Sequence, residues 1–204
     1  MFAQKLLSKP EIDLKGSIQI VCEYFTFAIS SILYIRSVYP DEYFIQKKHY
    51  DIPLNLIDEP NVKAYISHTV NGIQALMEQH KAKKLIVVLV DKESDETMER
   101  WSFNIDQDDG HEGVAPTKQS VQLDIRGIMR QIVSTSSFLP SFVSALSFRI
   151  LIVTDDDTPI ESKWMECDPH FIPNSETVDL KSFGTGSHKI STSVSYRVDD
   201  STIL

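Results

Sequence analysis

Apolar side chains recur on nearly every side of a helical wheel drawn through residues 17–38. Ile18, Val21, Cys22, Phe25, Ile29 and Ile32 form one stripe, and Ile20, Tyr24, Phe27, Tyr34 and Val38 form another. Gln19, Glu23, Thr26, Ser30 and Ser37 are left as a narrow polar line. A helix apolar around most of its circumference belongs at the centre of a core. Gly16 and Ser17 are expected to supply a hinge and an N-cap, and Pro40 to stop the helix. Its last turn reads "LYIRSVYP" and sets Arg36 among apolar and aromatic neighbours. At a helix C-terminus that charge is favoured by the helix dipole, its fork can bond the last carbonyls, and its stem can lie on the rings. Arg36 is therefore predicted to be structural.

A second helix is predicted over 60–79, with Asp58 as cap, Pro60 in the first turn, and Val62, Ile66, Ile73, Leu76 and Met77 at helical spacing. A third, over 119–137, turns Val121, Ile125, Ile128, Met129 and Ile132 inward and leaves Leu123, Arg126 and Arg130 outside. "LIVVLV" (85–90) and "FRILIV" (148–153) are unbroken apolar runs, expected for central strands covered on both faces. "ERWSFNI" (99–105) alternates Trp101, Phe103 and Ile105 with polar neighbours and pairs with 85–90 as a hairpin. The polar stretch 106–118 reads as a loop. The fold class is α+β, a mostly antiparallel sheet with three helices packed on one face. From Asp155 to Gly186 no helical or strand period persists, although Trp164, Phe171 and Ile172 stand there among charged and turn-forming residues. Long irregular stretches in compact domains are usually functional or disordered, and these large apolar residues argue against disorder. "HKISTSVSYRV" (188–198) then alternates Ile190, Thr192, Val194, Tyr196 and Val198, a strand with one buried face.

Composition narrows the function. The 204 residues suffice for one domain with a sizeable core, and the net charge of −9 argues against direct nucleic-acid binding, which needs a basic footprint. Cys22 and Cys167 make no framework of repeated spacing, as expected in a reducing compartment. The first eleven residues include Lys5, Lys9 and Glu11 and no long apolar stretch, so no signal peptide is expected, and no apolar run is expected to reach membrane-spanning length. A nuclear or cytosolic protein is the expectation. Catalytic patterns are weak. Cys167 and His170 have ligand-like spacing but no second pair, "TDDDT" (154–158) reads first as a charged turn, and His49, His68, His80, His111 and His188 are scattered. A metal-dependent hydrolase using Asp155, Asp156, Asp157 and His170 is the rival from a different class. The expectation is a protein with no catalytic residues, metal or cofactor.

Several stretches together resemble one known family. They are "IDLKGS" (12–17), "SILYIRSVYP" (31–40), "KKLIVVLV" (83–90), "ERWSFNID" (99–106), "IRGIMRQI" (125–132), "SFLP" (137–140), "KWMECDPHFIPNSE" (163–176) and "LKSF" with "SHK" (180–189). In this order they resemble the HORMA-domain family, in particular its spindle-checkpoint branch. Ile35 and Ser37 depart from the glutamine and glycine usual in that branch. Pro53 and Pro173 are similar to another branch, the accessory subunit of translesion polymerase zeta, which is the alternative.

The resemblance implies a non-enzymatic clamp made of a single domain, with a core over 12–154 and a C-terminal safety belt over 155–204. The belt wraps a partner peptide that adds to the sheet as a strand, and the domain switches between open and closed folds. The implied partners are a checkpoint scaffold protein at kinetochores and the activator of the anaphase-promoting complex. A second copy, a closed-form antagonist and a remodelling ATPase complete the set, with no nucleic acid and no membrane, and the implied location is nucleus, kinetochore and cytoplasm. Residue by residue, Trp164, Phe171 and Ile172 match the belt's anchoring stretch. Tyr65 is a candidate wall of the peptide site, and Tyr196 lies in the terminal stretch 195–204 needed for binding. Arg130 and Gln131, with Arg126 beside them, match the face used for dimers and for the antagonist. Leu14 matches a position that steadies the open form.

Overall fold

Asp13, not Ser17, caps the first helix. Its Oδ1 accepts from the Gly16 N–H at 2.8 Å, and α1 runs Leu14–Ile35. Ser17 is instead fully buried one turn inside. Beyond Arg36 the chain turns through Ser37 at φ +50°, and the Val38 N–H bonds back to the Leu33 carbonyl at 3.0 Å. This closure favours glycine at the position Ser37 holds. The computed structural model describes residues 12–108, 115–155, 158 and 164–198.

α2 (Pro60–Glu78) is capped by Glu59, whose Oε2 accepts from the Val62 N–H at 2.7 Å. Asp58, the expected cap, pairs with Lys63 at 3.0 Å. α3 (Lys118–Ser134) starts with a reciprocal cap between Thr117 and Ser120, and a single 3₁₀ turn (Thr135–Ser137) completes the predicted span.

β1 (Phe44–His49) and β2 (Ile52–Ile57) form a separate hairpin that the sequence pattern did not reveal. Its lysines and Pro53 obscure the alternation. The hairpin lies on α1, with His49 stacked on Phe27 at 4.3 Å and Ile52, Leu54 and Ile57 buried.

The main sheet contains β3 (Ala82–Asp91), β4 (Thr97–Gln107), β5 (Leu146–Thr154), β6 (Ser175–Asp179), β7 (Phe183–Gly184) and β8 (His188–Arg197). All pairings are antiparallel, in the order β5-β3-β4-β8-β6, with β7 also on β8. β3 is central, as its continuous apolarity predicts. Leu85, Val87 and Leu89 enter the core beneath the helices, and Ile86, Val88 and Val90 cluster with Leu151 separately from it. β5 has the same kind of sequence but lies at the end of the sheet, so its expected central position is corrected. β6 and β7 fall where no strand was expected, being too short to leave a period.

Against the sheet, Tyr24 and Phe25 of α1 meet Phe103 at 5.9 and 5.6 Å. By length and composition α1 could also cross a membrane, contrary to the expectation that no apolar run was long enough. Most of it is buried inside the fold, which accounts for its apolarity.

Candidate functional site

The outer edge of β5 pairs with no described strand. Ile150, opposite Val87 of β3, turns its N–H outward and donates it to the Tyr65 hydroxyl of α2 at 3.2 Å. Strand alternation gives Phe148 and Ile152 the same outward backbone direction. Tyr65 is 42% exposed and stands edge-on to Phe148 at 5.5 Å. Tyr39 meets Phe148 at 6.1 Å and stacks on Tyr43 at 5.7 Å. Burial, and then the nearby Glu59, Tyr43 and Tyr65, raise the Tyr39 phenol above its ordinary pKa. An apolar edge with free backbone donors and acceptors can take an extended segment as an added strand.

Past β5, the described residues from Trp164 onward lie on both sides of the sheet. Trp164 lies against α2, its ring near Gly72 and parallel to the His68 ring at 6.2 Å. A few residues later the chain is on the other face of the sheet. There the Pro169 carbonyl accepts from Arg100 Nε at 3.2 Å. His170 bonds the Thr97 hydroxyl at 3.0 Å through Nδ1 and contacts Arg149 at 3.2 Å through Nε2. Phe171 lies over the Arg100 guanidinium at 5.1 Å, and Ile172 is buried. Between Trp164 and His170, therefore, the chain passes from the helical face of the sheet to the opposite face.

From there β6–β8 fasten to the far side of β4. Tyr24 of α1 bonds Thr192 at 2.9 Å, and Ser17 meets the Thr185 hydroxyl at 2.5 Å and His188 Nδ1 at 2.7 Å. Thr185 in turn donates to the His188 carbonyl at 3.1 Å. One proton assignment satisfies this set: Nδ1–H to Ser17, Ser17 to Thr185, and Thr185 to the carbonyl. Burial holds the His188 imidazole below its ordinary pKa, with His80 adding to the effect. On α3, Gln131 Oε1 accepts from the Lys181 N–H at 2.8 Å.

The model of the HORMA domain family matches residues 17–188. The chain belongs to the HORMA-domain family. Mouse mitotic spindle assembly checkpoint protein MAD2A is 39% identical over 199 residues, covering 96% of this chain and 97% of the mouse protein. Arabidopsis mitotic spindle checkpoint protein MAD2 is 36% identical, covering 98% of each chain. Among solved structures, a chain of the crystal structure of the mitotic checkpoint complex matches with a TM-score of 0.83 at 35% identity, covering 90% of this chain and 99% of that one. C. elegans HTP-2 bound to the HIM-3 closure motif shares the fold, with a TM-score of 0.77 at 13% identity, covering 97% of this chain and 98% of that one.

Within this HORMA domain the predicted residues separate into groups. Tyr65 borders the β5 edge and Trp164 sits on α2, whereas Ile172 is buried near Thr97 of β4 and Arg197 of β8, and Phe171 is 72% exposed beside it on the opposite sheet face. Tyr196 is on β8, where its hydroxyl donates to Glu176 of β6 at 2.7 Å, away from that edge. Of the terminal stretch, residues 199–204 lie outside the described residues. Arg130 is exposed on α3, Arg126 approaches Asp51 at 3.7 Å, and Leu123 is exposed beside them. Gln131 does more than present a surface, because it holds the backbone between β6 and β7. Leu14 is the exposed first residue of α1. Of the residues proposed for metal, Asp155 pairs with Lys83 at 3.2 Å, His170 is engaged as above, and Asp156 and Asp157 lie outside the described residues. Among the described residues no three metal-ligating side chains converge.

Two features were missed. Arg36 is structural, but its main partner is Glu99, 2.6 Å away and fully buried, with the Pro140 carbonyl at 2.5 Å and the Phe142 ring at 4.4 Å. Burial pushes the Glu99 carboxyl above its ordinary range while Arg36 and the Trp101 N–H pull it down. The available signal was parity: Glu99 shares a strand face with Trp101, which had to be buried. The second is Gly72. A lone glycine inside a helical pattern costs about 1 kcal/mol relative to alanine, and at Gly72 it marks a close neighbour, although at Gly127 of α3 a Cβ would meet nothing.

Proposed function

We propose that this chain is a spindle-assembly-checkpoint adaptor that captures a partner segment as a strand on the open edge of β5. The C-terminal 155–204 segment acts as the safety belt. The observation that supports this reading is that the chain contacts α2 at Trp164 and the opposite face of the sheet at His170, one on each side of the open β5 edge. A ligand pairing with β5 inside that belt leaves only after the belt opens, so its release is slow even where individual contacts are modest. The domain switches between this closed arrangement and an open one in which β6–β8 leave β4 and cover β5. Two such packings coexist when they differ by about a few kcal/mol, and a ligand shifts them by its differential affinity. The activity is binding, without catalysis.

The partners are a kinetochore-bound checkpoint scaffold and the activator of the anaphase-promoting complex, whose sequestration inhibits that complex. An open and a closed copy meet through α3 at Arg130, where the closed-form antagonist also docks and from which a remodelling ATPase reopens the belt. The protein works at kinetochores, in the nucleus and in the cytoplasm. Near-full-length likeness to proteins named MAD2 supports this branch over the polymerase-zeta alternative.

The test is a pull-down from mitotically arrested cells with wild-type protein and with residues 195–204 deleted. Wild type is expected to retain the activator through extended washing and the deletion to lose it. Recovery of a polymerase segment instead, or equal retention by the deletion, overturns the reading.

A further inference from the structure

We propose that Gly72 is the seat of a latch: bare backbone at that point of α2 admits the Trp164 ring, and this contact sets how long a captured strand stays enclosed. The inference rests on the clamp reading above.

Gly72 lies well inside the 19-residue α2, with no positive φ to require a glycine. Helix propensity disfavours it there. What the position does require is space. A Cβ on Gly72 would stand 2.6 Å from Trp164 Cζ2, with two further ring atoms at 3.4 and 3.5 Å. An indole cannot yield locally to such an overlap, so any side chain at 72 lifts the whole ring. His68 lies four residues earlier on the same helical face, with its ring 15° from parallel to the indole. His68 and Gly72 thus form a single slot. Tyr65, seven residues before Gly72, is on the same side of the helix and borders the β5 edge. α2 therefore offers both a wall of the groove and the seat for the chain that closes it.

This slot is the hold on the helical side of the open edge. The contacts of His170 with Thr97 and Arg149 are the hold on the other side. A strand between β5 and this segment escapes once either hold opens. Weakening the Gly72 slot should therefore show in the dissociation rate, with the helix itself unharmed.

The experiment measures release of a fluorescein-labelled peptide, selected by display on the wild-type chain, into excess unlabelled peptide. Gly72→Ala should speed release by about tenfold while Tm moves little, because alanine's better helix propensity offsets most of the lost indole contact. Gly72→Leu should release faster still. Trp164→Ala should match it, and Gly72→Leu with Trp164→Ala should be no faster than either alone, since both remove one contact. Release from Gly72→Ala at the wild-type rate, or additive effects in the double variant, overturns the latch and leaves the clamp standing. Failure of wild type to retain any selected peptide overturns the clamp and the latch with it.

Discussion

Near each end of α1 a buried polar side chain ties the helix to the rest of the fold, but different chemistry holds the two ties. At the C-terminal end Arg36 meets Glu99 with side chains 5% and 0% exposed, a full charge pair inside the frame of α1, β4 and the segment before β5. At the N-terminal end Ser17 meets Thr185 and His188, two hydroxyls and an imidazole joining α1 to the C-terminal strands. Breaking a buried ion pair strands a charge, whereas parting neutral groups exposes them to water that can replace their bonds. The first chemistry suits a joint that never opens. The second suits one that opens and closes.

The largest effect that would sharpen this contrast is expected from Glu99→Ala. An unpaired buried guanidinium should cost about 3–5 kcal/mol, and urea melts should show the whole domain weakened together. Arg36→Met combined with Glu99→Leu should recover most of that loss. Thr185→Val should cost less, about 1–2 kcal/mol, and should act locally: hydrogen exchange should accelerate in β6–β8 and stay unchanged in β3–β5. Uniform acceleration through the sheet would erase the distinction between the two joints.

Acid should act on the same joint. Burial holds His188 below its ordinary value of 6.5, so a detached C-terminal strand binds the proton more readily than a docked one. Docking strength is therefore complete above that value. It declines as pH falls through it, by at most about 1.4 kcal/mol per unit. Exchange of β8 amides, corrected for intrinsic rates, should rise between about pH 7.5 and pH 5.5, and Ala at position 188 should remove the dependence. The smallest effect is a gain at the other end of α1. Ser37→Gly relieves a left-handed residue and should raise stability by about 1 kcal/mol, read as a small shift of the urea midpoint with both joints intact.

What the sequence revealed follows from the length of each signal. α1, α2, α3 and β3 repeat their pattern over many residues, and their existence was legible before any coordinates. Their ends were less so, because caps depend on one side chain: Asp13 and Glu59 took the roles expected of Ser17 and Asp58. β5 was legible as a strand but not as an edge, since Ile150 and Leu151 are buried whether the neighbour on that side is a strand or a helix with a belt. The five residues of β6 and the two of β7 carry too little alternation to read. At the site, Trp164 and Ile172 were visible as large apolar residues out of place. The partners of Trp164, Gly72 and His68, were not, because the contact joins positions about ninety residues apart. Resemblance to the family marked Gln131 for its surface, but its bond to Lys181 depends on where the last strands come to rest.

If the β5 edge takes a guest strand as proposed, the hydroxyl of Tyr65 on the Ile150 N–H bears on which guests it would accept. An incoming strand must first displace an intramolecular acceptor, so one rung of its ladder is an exchange and not a gain. Brief or ill-matched segments have few other rungs with which to compensate, while a fully paired guest hardly notices the difference. The same contact occupies one of the outward N–H groups through which the β5 edge could pair with another sheet.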